Sequence, residues 1–512
     1  MKAIIQKRLK KAKRRIERRL RPIQWAERPK PMLSARNIRY EVAERGRGLA
    51  AGGIGAMHLL ARRSGLVETI DKHVHVLKRH LPYHESDHVL NIAYNLLCGG
   101  ARLEHIEHRR NDEVFLDALG AERIPDPTTA GDFCRRFETP EPIEALMEAI
   151  NETRLNVWRQ QPKTFFNEAV IDVDGTIAET TGECKQGMDI AYNGKWGYST
   201  LVVSLANTGE PLYLLNRSGN RPSSEGAPDY LGRAITLCRR AGFKKIRLRG
   251  DTDFTQTEHL DGWDASGVKF VFGIPAMKNL VDIAESLENT AFAPLHRPAK
   301  YEVKTKPRRR PENVKERIVR EREFQNIRLK GEEVAEFDYR PTKCKTSYRV
   351  IVLKKNLSVE RGERRLFDDI RWFFYITNDR KKSPARIVHD ANGRCNQENL
   401  IAQLKSGTKA MAMPVDNLMS NWAYMVMASL AWTLKAWAAL MLPETGRWAE
   451  QHREEKRKLL RMEFPTFVQA FVRMPASIIR TGRRIVYRLL SWNPWQHVLF
   501  RLLDQLRFPL RC

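Results

Sequence analysis

Three stretches of this 512-residue chain place carboxylates where phosphate chemistry is commonly done. In "VIDVDGTIAE" (170–179) an apolar run rises to Asp172 and Asp174 and breaks at Gly175. Side chains two apart on a strand share a face, so these carboxylates point the same way. Like charges so placed repel, which implies an ion or a proton unless both are well solvated. In "LRGDTDF" (248–254) Asp251 ends a second apolar run and Asp253 follows. Carboxylates ending neighbouring parallel strands would meet at one sheet edge, where α/β ligand sites lie. Either aspartate pair, read alone, is also an ordinary turn.

The third stretch is "DANGRCNQENLIAQLKSG" (390–407), whose pattern predicts one helix capped by Asp390 or Asn392 and stopped at Gly407. At about 100° per residue, Arg394, Glu398 and Lys405 fall within roughly 40° of one another, while Leu400, Ile401 and Leu404 form a separate apolar face. The helix thus offers one carboxylate between two cations; a solvated charged face is the plain alternative. Three carboxylates from two strand ends and a helix can hold two Mg²⁺ ions, with Mn²⁺ a ready substitute. Such a pair activates a water or 3′-hydroxyl and stabilises the departing oxygen of a phosphodiester displacement. Arg394 and Lys405 would grip nearby phosphates.

The elements that must carry these residues follow from periodicity. Residues 48–160 have helical spacing and no convincing strand, with "AGGIGAMHLLARRSGL" and "DHVLNIAYNLLCGGARLEHIEHRR" as amphipathic helices. "PDPTTAGDFCRRFETP" reads as a short helix capped by Thr128 or Thr129 and ending on Arg135-Arg136, compatible with a helix-turn-helix or any helix hairpin. From about 165 the order becomes strand, strand, strand, helix, strand, helix, strand. Residues 300–370 interrupt it with basic "KPRRRPENVKERIVRER" and the strand-like "YRVIVLK" and "WFFYITN", and 386–512 read as helical. The apolar run 421–442 is long enough to cross a membrane, but Asn421, Thr433 and Lys435 make it a buried helix; no membrane partner is expected.

Composition narrows the partner. Lys and Arg outnumber Asp and Glu by 89 to 61, a formal charge of +28, which attracts polyanions unless the protein is merely basic. Residues 1–30 hold thirteen Lys/Arg against Glu17 and Glu27, an arm that would fold along phosphates or serve only solubility. Seven cysteines (98, 134, 184, 238, 344, 395, 512) form no CxxC pair, which suggests a reducing, cytoplasmic setting; no secretory signal is visible. His73, His75, His80 and His84 cluster without the other residues of a metal site and read as surface histidines.

Two families share parts of this pattern. "DVDGT" resembles the opening motif of haloacid-dehalogenase-type phosphatases, in which Asp172 would be the nucleophile and Asp174 its acid/base. That likeness leaves the last 240 residues and the charge without a role. Arg394, Glu398 and Lys405 resemble the last three positions of Tyr-x2-Arg-x3-Glu-x6-Lys, the late-helix signature of one group of bacterial insertion-sequence DDE transposases. Ala391 stands where that motif has tyrosine. "NRSGNRPSSEGAPDYLGRAI" (216–235) and "PDPTTAGDFCRRF" are similar to one branch of the group, and the likeness spans most of 50–490.

The resemblance implies an α/β ribonuclease H-like catalytic core with a β-rich insertion, preceded by an all-α DNA-binding region and followed by a helical C-terminal region. Its divisions are a basic arm (1–47), a helical DNA-binding domain (48–162), the core's first part (163–280), the insertion (281–370), the core's last strand and Glu-bearing helices (371–445), and a basic helical end (446–512). Asp174, Asp251 and Glu398 would be the catalytic metal ligands, with Arg394 and Lys405 on DNA. Asp172 and Asp253 would stand behind them, and Asp172 competes with Asp174 for the first ligand position. The implied activity is cleavage and strand transfer at terminal inverted repeats and target DNA through hairpin ends, by a homodimer. A catalytically inactive DNA-binding descendant is the alternative. Trp372 reads as a core tryptophan, or as a platform for a flipped base.

Overall fold

The structure, a computed structural model, describes residues 3–20, 46–80, 82–297, 314–362, 364–481, 484–507 and 510. The chain forms two compact units. One comprises Met1–Gln161, Glu183–Gln186 and Gln403–Cys512; the other comprises Pro162–Gly182 and Gly187–Ala402.

The first unit is built around the helix Leu418–Leu440, which is buried from Ser420 to its end. Its mean hydropathy would suit a bilayer, yet helices Glu85–Leu97, Pro140–Trp158 and Ala449–Arg461 pack against it. Trp422, Tyr424 and Trp437 fill the interior. Lys435 is fully buried there, its Nζ 2.8 Å from the Leu460 carbonyl and 3.7 Å from the centre of the Trp432 ring. Burial pushes its amine down from 10.5 to about 7. The unfolded chain therefore holds a proton between pH 7 and 10.5 that the folded chain lacks, so this group's contribution to stability rises with pH across that window. Lys435→Met should raise the melting temperature at pH 7, and melts at several pH values should show the advantage shrinking as pH approaches 10.5.

Several expected elements differ. Ala3–Leu20 of the basic arm is an α-helix, while residues 1–2 and 21–45 lie outside the described residues. The second amphipathic helix stops at Leu97 because Gly99 takes φ +89°, and 3₁₀ and α turns at Leu103–Ile106 and Glu107–Arg110 replace its continuation. The cap of Pro127–Arg135 is Asp126, not a threonine. Its carboxylate accepts from the Thr129 amide at 2.8 Å, and Pro127 takes the first helical position, where no amide is needed. Residues 386–512 are not all helical: Ala476–Thr481 and Arg484–Leu489 form a hairpin that pairs with β1 (Gly48–Leu49). The β-branched Ile478 and Ile479 beside Ile485, Val486 and the aromatic Tyr487 explain it. His73 pairs with Glu152 at 2.9 Å, and His80 pairs with Glu85 at 3.1 Å.

The second unit holds a ten-stranded sheet. Its strands are β2 (Ala169–Glu179), β3 (Asp189–Ile190), β4 (Trp196–Leu205), β5 (Glu210–Ser218), β6 (Ile246–Gly250), β7 (Lys269–Ile274), β8 (Ala293–Pro294), β9 (Gln325–Tyr339), β10 (Tyr348–Arg361) and β11 (Arg364–Thr377). The order is β3-β4-β2-β6-β7-β11-β10-β9-β8, with β5 on β4. β2 runs antiparallel to β4 and parallel to β6, which is parallel to β7. β4 is buried on both faces after Trp196, its apolar residues interrupted by the buried hydroxyls of Ser199, Thr200 and Ser204. Helix Ala227–Ala241 crosses from β5 to β6. The second helix of the expected order is only a 3₁₀ turn at Thr257–His259 and a short α-helix at Leu260–Ala265. The antiparallel strands β9, β10 and β11 join this sheet through β7, and Ile387 and Val388 of helix Pro384–Asn392 pack on Val271, Val334, Ile351 and Leu353. Of the basic run 306–322, the described part contains the helix Val314–Glu321; residues 298–313 lie outside the described residues.

Candidate active site

Parallel pairing sets the geometry. Asp172 on β2 lies opposite Arg249 on β6. Two residues further along each strand come Asp174 and Asp251, which therefore stand side by side where β6 ends. Both face Arg394, whose Nη1 is 3.1 Å from Asp174 Oδ2 and 3.8 Å from Asp251 Oδ2. The remaining oxygens are held locally: Asp174 Oδ1 accepts from the Gly175 amide at 2.9 Å, and Asp251 Oδ1 from the Asp253 amide at 3.0 Å. Asp253 itself is exposed.

The electrostatics match. Burial pushes the Asp174 carboxyl up to about 6; Arg394 pulls against this, while Asp251 and Glu398 add to it. Burial also raises Asp251, with Asp253 adding and Arg394 opposing. Glu398 is exposed on the helix Cys395–Ala402 and close enough for its charge to act on Asp174. Beside it, Gln397 is buried and donates to the Val202 carbonyl at 2.7 Å, pinning that helix to β4.

Asp172 has a different setting. It is 1% exposed, and Arg249 grips both its oxygens, at 2.6 and 2.8 Å. Burial pushes its carboxyl up while Arg249 holds it down. A carboxylate so enclosed has no open approach for a phosphate ester.

The single helix expected over 390–407 is broken. Pro384–Asn392 ends first, Gly393 and Arg394 form a turn, Cys395–Ala402 is helical, and Gln403–Gly407 is a π-helical turn. Gly393 permits the break because it packs on Arg249: a Cβ there would come 2.4 Å from Nη1. The π turn re-phases the chain, so Lys405 does not follow the 100° projection from Glu398. Lys405 is exposed on that turn, within the other compact unit. Ala391 packs on the Val271–Ile387 core. Trp372 is half-buried rather than a core residue, its ring 6.0 Å from Phe292 and 5.9 Å from Lys354 Nζ.

Sequence reading missed Arg247, Arg249 and Gln397. The signal was present in "KKIRLRGD": arginines at alternate positions of a strand otherwise apolar enough to be buried must find carboxylates inside.

The donor set fits a hard divalent cation, since Asp174, Asp251 and Glu398 offer only carboxylate oxygens. Among the described residues, no three His, Cys, Asp or Glu side chains converge closely enough to hold an ion between them. A cationic group already stands at the acidic pair: the Arg394 guanidinium.

A family model described as "Transposase DDE domain group 1" matches residues 31–509. Among solved structures, the chain is similar to a piggyBac transposase synaptic complex with hairpin DNA, at 9% identity and a TM-score of 0.38. That match covers 83% of this chain and 84% of the other. No curated protein matches the sequence.

Proposed function

We propose, for a chain that belongs to the transposase DDE domain group 1 family, that Asp174, Asp251 and Glu398 form its reaction centre for DNA strand cleavage and strand transfer. The observation that carries this reading is the meeting of Asp174, midway along β2, with Asp251, just past the end of β6, spanned by an arginine from the turn that starts the Glu398 helix.

The strand order β5-β4-β2-β6-β7, antiparallel on one side of β2 and parallel on the other, supports a ribonuclease H-like core with β8–β10 as its insertion and the end of β11, beside β7, as the core's last strand. The three carboxylates would hold two Mg²⁺ ions, or Mn²⁺, which supply charge neutralisation and an activated hydroxyl when bound. Arg394 would exchange carboxylates for a DNA phosphate, with bidentate geometry available to its planar group. Lys405 would add a point charge on the same backbone. Asp172 and Asp253 would stand behind the ligands, Asp172 holding Arg249 and Asp253 orienting Asp251 through its amide. Ala391, in the tyrosine position of the related motif, would leave the grip on the terminal phosphate to Arg394 and Lys405.

In this reading the substrates are the inverted repeats of the chain's own insertion sequence and the target DNA. The pathway is cut-and-paste through hairpin ends, in the bacterial cytoplasm, by a DNA-bound homodimer. The +28 charge supports the polyanionic partner. The test is incubation of the purified protein and Mg²⁺ with supercoiled DNA carrying the sequences that flank its reading frame. Double-strand breaks at the repeat boundaries, with hairpin termini on denaturing gels, are expected. Binding without cleavage would favour the inactive DNA-binding alternative.

A further inference from the structure

β6 is a buried strand that carries two arginines on one face, Arg247 and Arg249, only 5% and 9% exposed. Arg249 commits every guanidinium nitrogen. Nε and Nη2 take the two oxygens of Asp172 on β2, and Nη1 donates to the main-chain oxygen of Asp390, 2.9 Å away in the last turn of helix Pro384–Asn392. Gly393 closes down on the same Nη1, and the next residue is Arg394. Arg247 repeats the device one step down the strand. It pairs with Glu168 at 3.0 Å and with Asp379 at 3.2 Å, and lies 3.9 Å from the Asp390 carboxylate.

A buried ion pair is weak evidence for stability, because apolar residues of similar volume often serve as well; its better-attested use is to fix registry. Here one planar group ties together three elements remote in sequence, through residues 172, 249 and 390. A lysine could not do this, since a single ammonium lacks the fork that meets a carboxylate on one side and a carbonyl on the other.

We propose that Arg249 is a positioning residue for strand cleavage. By gripping Asp172 and the end of the Pro384–Asn392 helix it fixes the Gly393–Arg394 turn, and through it the placement of the Arg394 guanidinium at Asp174 and Asp251. This rests on the reading of Asp174, Asp251 and Glu398 as the reaction centre. Arg249 touches none of those three carboxylates in the contacts above, so its effect runs through Arg394.

The test is a double-mutant cycle of Arg249→Met with Arg394→Ala, scored by cleavage kinetics, DNA affinity and Mn²⁺ binding. Arg249→Met alone should lower kcat about 100-fold, the cost of misplacing a reacting group by about 1 Å, with KM for DNA within about twofold. Added to Arg394→Ala it should cost less than about threefold more, because the two act in series. Its Mn²⁺ affinity should move in the same direction as that of Arg394→Ala. Losses that multiply, an unchanged kcat, or an unchanged Mn²⁺ affinity would overturn the proposal.

If Arg249→Met fails to fold because Asp172 is left buried and charged, the Asp172→Asn/Arg249→Met protein is measured by the same criteria. Failure of both to fold makes Arg249 a residue of the core and overturns the proposal as well. The reaction-centre reading fails separately, by retained cleavage in Glu398→Gln. A dead Glu398→Gln with multiplicative Arg249 and Arg394 losses sinks only the positioning role.

Discussion

Glu398→Gln should lower cleavage of the chain's own DNA ends by at least about 10³-fold while DNA affinity stays within about twofold. The substitution keeps the size and hydrogen-bonding capacity of the side chain and removes one negative charge from a site built to concentrate three. Glu398 is exposed and its charge already acts on Asp174, so its loss disturbs no packing. Asp174→Asn and Asp251→Asn should be as severe, and for the same reason: each would leave the pair formed by Asp174 on β2 and Asp251 past the end of β6 with half its charge. Supercoiled-DNA cleavage under Mg²⁺ and Mn²⁺, with gel-shift binding in parallel, reads both quantities. Cleavage above a few per cent of the parent rate in any one variant would remove that residue from the reaction centre.

The second large effect has two opposite parts. Arg394→Met should tighten Mn²⁺ binding to the DNA-free protein by about tenfold or more, and yet lower cleavage about 100-fold. In the structure the guanidinium contacts Asp174 at 3.1 Å and Asp251 at 3.8 Å, so a divalent ion must compete with it for the same oxygens. Removing the competitor leaves two carboxylates whose repulsion only a proton or a cation can relieve. The same removal takes away the group that would hold the DNA phosphate. Paramagnetic resonance of free and bound Mn²⁺ reports the first part and cleavage rates the second. Weaker Mn²⁺ binding in Arg394→Met would mean that the arginine supports the ion rather than standing in for it.

Much of the second unit could be read from the residues because apolar runs of strand length are local signals, although the expected strand end at Gly175 is absent and β2 continues to Glu179. "VIDVDGTIAE", "STLVVSLAN", "PLYLLNRSG", "KKIRLRGD" and "VKFVFGIP" all lie on strands, each shifted by a few residues at most. Parallel pairing of two apolar runs placed Asp174 near Asp251; the register ends at Asp172 and Arg249, and both carboxylates lie within 3.8 Å of Arg394 Nη1. The broken helix was not legible, since a wheel of about 100° per residue assumes unbroken α geometry. Gly393 carries no local sign of the break, which depends on its packing against Arg249. The separation of Asp172 from Asp174 was hidden for a similar reason. Alternation put both on one face, but only the cross-strand partner shows that Asp172 meets an arginine at its own level while Asp174 lies beyond the last paired residue of β6. The C-terminal hairpin was masked by the basic, Trp-rich composition around it, and its partner β1 is two residues long.

The first unit draws on both ends of the chain, with nearly all of residues 162–402 spliced between them. This has a consequence for synthesis. Helices Glu85–Leu97 and Pro140–Trp158 leave the ribosome with apolar faces meant for Leu418–Leu440. At about 5–20 residues per second their partner follows only after tens of seconds. The inserted unit is itself complete only at Ala402, shortly before the partner helix begins at Leu418. The nascent protein therefore spends about half of its translation with two apolar helix faces uncovered, a window in which chaperone supply and translation speed govern how much of it survives.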